Sequence, residues 1–338
     1  MKELAVEGAR LLSYALPLSR PIAGLERREG LLVELSAKGQ RGLGEAAPWP
    51  GLHDVSLEGC RQLLHDRLPL FVGPTGSSSV EDLAQHAGLR GLPPVVAWGL
   101  FSALLDLAAA LEERPLSQLL TPSAPVFVEI AALIVNDGDV DAHLGRRRAA
   151  KVKVRSVADV ERARRTRERL GPGDVRIDGN RALRLEEAVA LADVARELSV
   201  SLFEEPVSRA ELSAFAAAGM PLALDEALAE PRLDEALLAH ASALVLKPSV
   251  LGPARTLALL ARPGRKILSC PFESVVGRTT LGHLQAAFSP GLAAGLGTDA
   301  FLAEDLAAVD VGTPLLDLSQ RPRLFDSALV ELSKWGRP

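Results

Sequence analysis

From residue 125 onward the chain repeats one short pattern, and that pattern limits the fold more than any other feature. Apolar or β-branched runs occur at 126–134, 150–154, 175–177, 201–203, 221–224, 243–246, 266–268 and 293–296. Helical patterns separate most of them, at 157–170, 185–198, 209–217, 233–240, 252–260 and 279–288. Strands alternating with helices imply parallel βαβ units. Eight such units in about 180 residues predict an α/β fold of the (β/α)8 or TIM type, tighter than usual for that class. An open doubly wound sheet is the alternative, but no Gly-rich phosphate loop follows the first run.

A second pattern is laid over the first. Lys153 ends the second run, Asp178 the third, Glu204 the fourth, Asp225 the fifth and Lys247 the sixth, at spacings of 25, 26, 21 and 22 residues. Each spacing is about one βα unit, so every charge occupies the same place in successive units. In a parallel barrel that place is the C-terminal rim, where active sites form. A single acid after a strand ordinarily caps the next helix, and a single lysine there is ordinarily solvated. Five in phase, in the order Lys-Asp-Glu-Asp-Lys, exceed what capping needs. Three neighbouring carboxylates repel one another when desolvated, and a hard divalent cation such as Mg²⁺ offsets that repulsion. A lysine close to a dication loses its proton more easily, which suits a general base. The combination predicts α-proton removal from a carboxylate substrate, with the metal stabilising the resulting anion. Neighbours along a strand face opposite ways. Only one of Glu204 and Glu205, and one of Asp225 and Glu226, therefore points to the centre, whereas Lys151 and Lys153 share a face.

The first third lacks this rhythm. The run 30–38 reads as a strand, 39–44 as the turn before Glu45, and 4–18 as its partner in a small antiparallel sheet. Helical patterns follow at 56–68, 80–86 and 94–113; the last is apolar almost all round and reads as buried. The expected division is an N-terminal α+β cap over 1–122, the barrel over 123–305 and a C-terminal segment over 306–338 that returns to the cap. Loops 17–26 and 48–53 carry Gly and Pro and are expected to cover the barrel mouth.

Net charge is −5 and the basic residues are scattered, which argues against a nucleic-acid surface. The run Arg146, Arg147 and Arg148, followed by Lys151, reads as a solvated helix end. No uninterrupted apolar run of spanning length is evident, and the charged N-terminus does not read as a signal peptide. Cys60 and Cys270 form neither a disulfide framework nor a zinc motif. These readings place the chain in the cytoplasm, with a small-molecule carboxylate as its partner and no nucleic acid or membrane; its oligomeric state is left open.

The strand-end motifs are KVK at Lys151 and Lys153, DGN at Asp178 and Asn180, EEP at Glu204, DE at Asp225 and KP at Lys247. In this combination the chain resembles the enolase superfamily, its muconate-lactonising-type subgroup, and there most of all the o-succinylbenzoate synthase family. GLGEAAP at 42–48, ALIVN ending at Asn136, RIDGNRA from Arg176, and Ser269 with Glu273 and Ser274 carry the closer likeness. The resemblance covers almost the whole chain. It implies Lys153 as base, Asp178, Glu204 and Asp225 as Mg²⁺ ligands, and Lys247 on the opposite face stabilising an anionic intermediate. Lys151 would support Lys153 or simply pair with a neighbour. Asn180 would orient ligands or shape its loop. Arg176 would act at the site or form a structural ion pair. Ser269, Glu273, Ser274 and Gly297 would hydrogen-bond the substrate's second carboxylate.

The implied reaction is loss of water from 2-succinyl-6-hydroxy-2,4-cyclohexadiene-1-carboxylate to give o-succinylbenzoate, a menaquinone precursor. Two features depart from that pattern or from its relatives. The 269–273 segment carries Cys270 and Pro271 where small polar residues are expected. The 295–299 segment lacks the Asp-x-Asp of dipeptide epimerases. No histidine ends a strand, which disfavours a His-Asp base. N-acylamino acid racemisation or dipeptide epimerisation would use the same five residues. A non-catalytic barrel binding metal and ligand is the remaining alternative.

Overall fold

The computed structural model describes residues 4–76, 79–310 and 312–336; the extreme ends of the expected N- and C-terminal segments lie outside that range. Three long strands open the chain: β1 (Gly8–Ile22), β2 (Leu25–Ala37) and β3 (Gln40–Ala46). The turn between β2 and β3 is only Lys38 and Gly39, both at positive φ. Residues 40–44, expected as turn, are instead strand, because β2 and β3 stay paired down to Ala37 and Gln40. Nor is 17–26 a loop: β1 and β2 continue as a hairpin whose tip is Ala23 and Gly24.

Helix α1 (Leu57–Arg67) starts at Ser56, whose side chain accepts from the Gly59 amide, the usual device for satisfying a free helix-end N–H. Helix α2 (Pro94–Leu111) begins on a proline, which suits a first helical position that lacks an N–H partner anyway. By length and hydropathy α2 could cross a membrane, which amends the reading that no segment reaches spanning length; 78 % of it is buried inside the protein. It packs on the N-terminal sheet through glycine. A Cβ on Gly44 would lie 2.0 Å from the Gly99 oxygen and 2.6 Å from the Ala103 amide nitrogen. Backbone therefore touches backbone at this contact.

The remaining strands are β4 (Phe127–Ile134), β5 (Ala149–Lys153), β6 (Asp174–Asp178), β7 (Val200–Glu204), β8 (Leu222–Leu224), β9 (Ala243–Leu246), β10 (Arg265–Leu268), β11 (Ala294–Gly297), β12 (Leu315–Asp317) and β13 (Val330–Gly336). Strands β4 to β10 pair in chain order, all parallel, and β11 pairs with β4. The result is a curled eight-stranded parallel sheet. Its two edges, β10 and β11, meet at one parallel bridge, Ser269 with Gly295, rather than along a ladder. Strand β12 adds antiparallel to β4, and β13 returns to pair with β1.

The helices of the sheet are α3 (Asp137–His143), α4 (Val160–Leu170), α5 (Leu185–Ala190), α6 (Ala192–Glu197), α7 (Leu212–Ala217), α8 (Glu235–His240), α9 (Pro253–Leu260) and α10 (Val275–Phe288). Helix α3 was not anticipated. Asn136 and Asp139 build a capping box for it, a signature of two polar residues three apart. The span 185–198, expected as one helix, is two. Arg146 to Arg148 are a turn entering β5 rather than a helix end, and Arg147 is fully buried against Asp299.

Candidate active site

Parallel pairing places the five in-phase charges at one rim. Asp178 lies opposite Lys153 on β5 and opposite Glu204 on β7, and Glu204 lies opposite Ala223 on β8. Asp225 and Lys247 follow the last residues of β8 and β9. Strands β5 and β9 are four apart in a curled sheet of eight, so Lys153 and Lys247 approach from opposite sides. Both line one cavity of about 620 Å³, with Lys151, Asn180, Ser269 and Gly297. The hairpin tip (Pro21, Ile22, Ala23) and the loop at Trp49 to Leu52 form its outer wall; Leu133, Val135, Phe272 and Phe301 give it an apolar side opposite the charged rim residues.

The acids are paired with the lysines. Lys151 Nζ lies 2.8 Å from Asp178 Oδ2 and 2.8 Å from Glu204 Oε1, Lys153 Nζ lies 2.6 Å from the same Asp178 oxygen, and Lys247 bonds Asp225. Lys153 also donates to Asn180 Oδ1, and the Asn180 amide donates to Asp178 Oδ1 at 3.1 Å. Asn180 and Arg181 both sit at positive φ, a conformation that asparagine tolerates better than most residues.

Burial opposes ionisation of Asp178, but Lys151 and Lys153 outweigh it and hold the carboxyl well below its usual range. Burial, with the neighbouring Asp178 charge, pushes Glu204 up to about 8. Burial also raises Asp225, against the opposing effect of Lys247. Lys151 and Lys247 are both raised: burial pulls them down, and the surrounding carboxylates more than compensate.

Two of the three acids are driven towards protonation for want of positive charge, and all their donor atoms are oxygen. This is the donor chemistry that a hard dication satisfies. Among the described residues, however, no three acids, histidines or cysteines are gathered closely enough to hold a metal ion. The Lys151 ammonium bridges Asp178 and Glu204 instead. An ion held by the three acids would compete with Lys151 and Lys247 for the same oxygens.

Other expected residues sit elsewhere. Arg176 is buried in the middle of β6 and its side chain reaches towards the start of the strand, bonded to Asp174 at 2.8 Å and to the Ala293 carbonyl at 2.8 Å. Ser274 caps α10, and Glu273 is buried beside it; neither lines the cavity. Ser269 donates to the Gly295 carbonyl at the sheet's closing bridge. Several residues at the site were not singled out from sequence. Glu226, expected to face away if Asp225 faces in, also lines the cavity, 3.8 Å from Lys247 Nζ and accepting from Asn180 at 3.3 Å, because the strand ends at Leu224 and its alternation does not extend to this pair. Glu205 turns away from the rim and takes the Asp225 and Ala227 amides at 2.8 and 2.7 Å, fixing the turn that presents Asp225. The alternation that separates Glu204 from Glu205 was legible; what each would bond was not. Arg20 from the hairpin clamps Asp139 with both amino groups at 2.8 and 2.9 Å and lies over the Phe301 ring.

The enolase C-terminal domain-like family matches residues 138–261. An o-succinylbenzoate synthase of Vibrio cholerae serotype O1 is 30 % identical over 320 residues, 86 % of this chain and 89 % of that protein. Another, from Haemophilus influenzae, is 25 % identical over 316 residues, 87 % and 91 % of the two chains. Among solved structures, a dipeptide epimerase from Methylococcus capsulatus complexed with Mg and the dipeptide L-Arg-D-Lys is 26 % identical. It superposes with a TM-score of 0.75 over 97 % of this chain and all of its own. The L-Ala-D/L-Glu epimerase of Bacillus subtilis, at 21 % identity, shares the fold with a TM-score of 0.77 over 94 % of this chain and 98 % of its own. With its strand-end lysines and acids on one rim and this level of likeness over most of its length, the chain belongs to the enolase superfamily, alongside the o-succinylbenzoate synthases.

Proposed function

We propose that this protein is an o-succinylbenzoate synthase, removing water from 2-succinyl-6-hydroxy-2,4-cyclohexadiene-1-carboxylate. The observation that carries the choice within the superfamily is the fate of Asp299. It is the one acid in the 295–299 segment, and Arg147 binds both its oxygens, at 2.8 and 2.6 Å, in a fully buried pair. No carboxylate there is free to hold the ammonium group of a dipeptide. The apolar cavity walls suit a carbocyclic ring, and relatives of the same name align over most of the chain.

In the proposed reaction Lys153 Nζ takes the proton from the carbon bearing the ring carboxylate. The C–H electron pair moves into the carboxylate system. The C–O bond then breaks, the hydroxide departs, and Lys153 returns the proton to it, so that water leaves and the ring becomes aromatic. Lys247, on the other side, keeps a positive charge against the anion formed in between. Asn180 fixes the Lys153 ammonium, and Lys151 offsets the charge of Asp178 and Glu204. Asp178, Glu204 and Asp225 are the residues that would hold Mg²⁺, which when bound would supply positive charge to the substrate carboxylate. Aromatisation drives the step, so positioning is the main task of the protein.

A second reading, racemisation of an N-acylamino acid, is favoured by the two lysines facing each other across one cavity, an arrangement able to exchange a proton on either face. One experiment separates the readings. Protein with Mg²⁺ and the cyclohexadiene substrate should produce the aromatic absorbance of o-succinylbenzoate, and a chelator should stop it. Deuterium incorporation into an N-succinylamino acid, with no turnover of the cyclohexadiene, would overturn the first reading in favour of the second.

A further inference from the structure

Three chain segments meet in a buried polar cluster beside the Lys247 turn, and none of them contributes its polar group there to the cavity. The loop over the pocket contributes His53. Its Nδ1 accepts the Trp49 amide at 2.9 Å, so the ring proton is on Nε2. That Nε2 is buried without a well-formed hydrogen bond and faces the Ser249 backbone. The turn after β9 contributes Ser249, two residues beyond Lys247, with a buried and unpartnered Oγ. The turn after β10 contributes Glu273, beside Ser249, with both carboxyl oxygens buried and unpartnered.

Glu45 explains why Glu273 takes none of the donors at the start of α10. Glu45 takes the Ser274 and Gly277 amides at 2.9 Å each, together with the Tyr14 and Ser274 hydroxyls. The donors at the start of α10 are thereby used up. A Cβ on Gly277 would lie 2.5 Å from Glu273 Oε2 and 2.9 Å from Glu45 Oε2, so both carboxyl groups crowd the same helical turn. Burial disfavours a charge there even with Arg28 and Arg278 facing it, whereas a neutral carboxylic acid has an O–H to give to Ser249. The loop bearing His53 also leans on the same turn: Trp49 stacks on Phe272 with centroids 4.7 Å apart, and Arg28 donates to the Phe272 and Pro48 carbonyls.

We propose that Glu273, Ser249 and His53 form a positioning device that ties the loop over the pocket to the turn carrying Lys247, so that covering the cavity and placing Lys247 are one event. The inference rests on Lys247 working in the reaction, as in the function proposed above. Glu273 is the positioning residue at its centre. Burial, and then Glu45, push its carboxyl up to about 8. The other groups facing it are Tyr14 from β1, Arg28 from β2, Cys270 on its own turn and Arg278 from α10, while His53 meets the Ser249 backbone. A carboxyl raised in the folded state contributes stability that is complete below its ordinary value of 4.5 and is lost as pH rises through about 8.

The test compares Glu273→Ala, Glu273→Gln and the unaltered protein. Glu273→Ala should lower kcat about tenfold or more with a much smaller change in KM, because misplacing a reacting group acts on the chemical step. Glu273→Gln, which keeps the shape and a donor, should recover most of that loss. Its melting temperature should also decline less between pH 6 and 9 than that of the unaltered protein. Unchanged kcat in Glu273→Ala, Glu273→Gln as impaired as Glu273→Ala, or parallel melting profiles would each overturn the proposal. The melting profiles need no substrate, so they test the protonated Glu273 on which the device depends even if the assigned reaction proves wrong.

Discussion

The seam between the N-terminal sheet and α2 and the rim of the parallel sheet are both buried, by opposite means. At the seam, Gly44 and Gly99 let backbone approach backbone, and Trp98, Phe101 and Leu104 are almost wholly covered. Polar groups there are few, and their needs are met locally: Ser102 bonds the Gly99 carbonyl at 3.1 Å. At the rim, Asp178, Glu204 and Asp225 are covered equally well but rely mainly on the lysines between them. At the rim the charges share partners, so Asp178 keeps Lys151 when Lys153 is removed, whereas adding one atom at the seam separates two elements. The seam is built for contact, and the rim keeps charges that packing alone would not select.

The sharpest way to break this contrast is Lys153→Ala. Turnover should fall about a thousandfold or more, as expected for loss of a general base, while the melting temperature changes little. Similar losses in activity and stability would mean that the rim is structural. The converse substitution is Gly44→Ala, whose Cβ would collide with the Gly99 carbonyl 2.0 Å away. It should cost about 3 kcal/mol of stability or more, read by chemical denaturation; whatever protein remains folded should turn over normally.

A third test uses His283, which holds α10 to the Ser117 amide at 3.2 Å. Burial, then Arg321, lower its pKa from 6.5 to about 4. A lowered group contributes stability that is complete above 6.5 and is lost as pH falls through about 4. Melting curves should therefore weaken across that interval by about 2 kcal/mol, and less in His283→Gln. The smallest effect is expected from Arg20→Gln, which unclamps the hairpin from Asp139. A rise in KM of about fivefold with little change in kcat is expected for one partly exposed ion pair. A drop in kcat instead would place Arg20 within the chemistry.

Much of the site was readable because phase survives folding. Lys153, Asp178, Glu204, Asp225 and Lys247 end successive strands, and parallel pairing can only bring such positions to one rim. Arg176 shows the limit of the same reasoning. It shares a face with Asp178, but two residues along a strand is about 7 Å, enough for its side chain to turn away from the rim to Asp174 and the Ala293 carbonyl. Glu273 and Ser274 were near the site in sequence and proved to serve the interface with the N-terminal sheet. Glu45 was quoted only as part of a motif, since nothing local shows that it caps a helix 229 residues further on.

By itself, the order of residues determined the alternation of strands and helices, the common phase of the five charges and the buried character of α2, because each follows from spacing along one chain. Only the tertiary structure decided which acid meets which lysine, that Asp299 is committed to Arg147, and that Glu45 rather than Glu273 takes the donors at the start of α10. Those outcomes depend on which side chains come within hydrogen-bond distance when distant segments pack, and spacing within a segment holds no information about that.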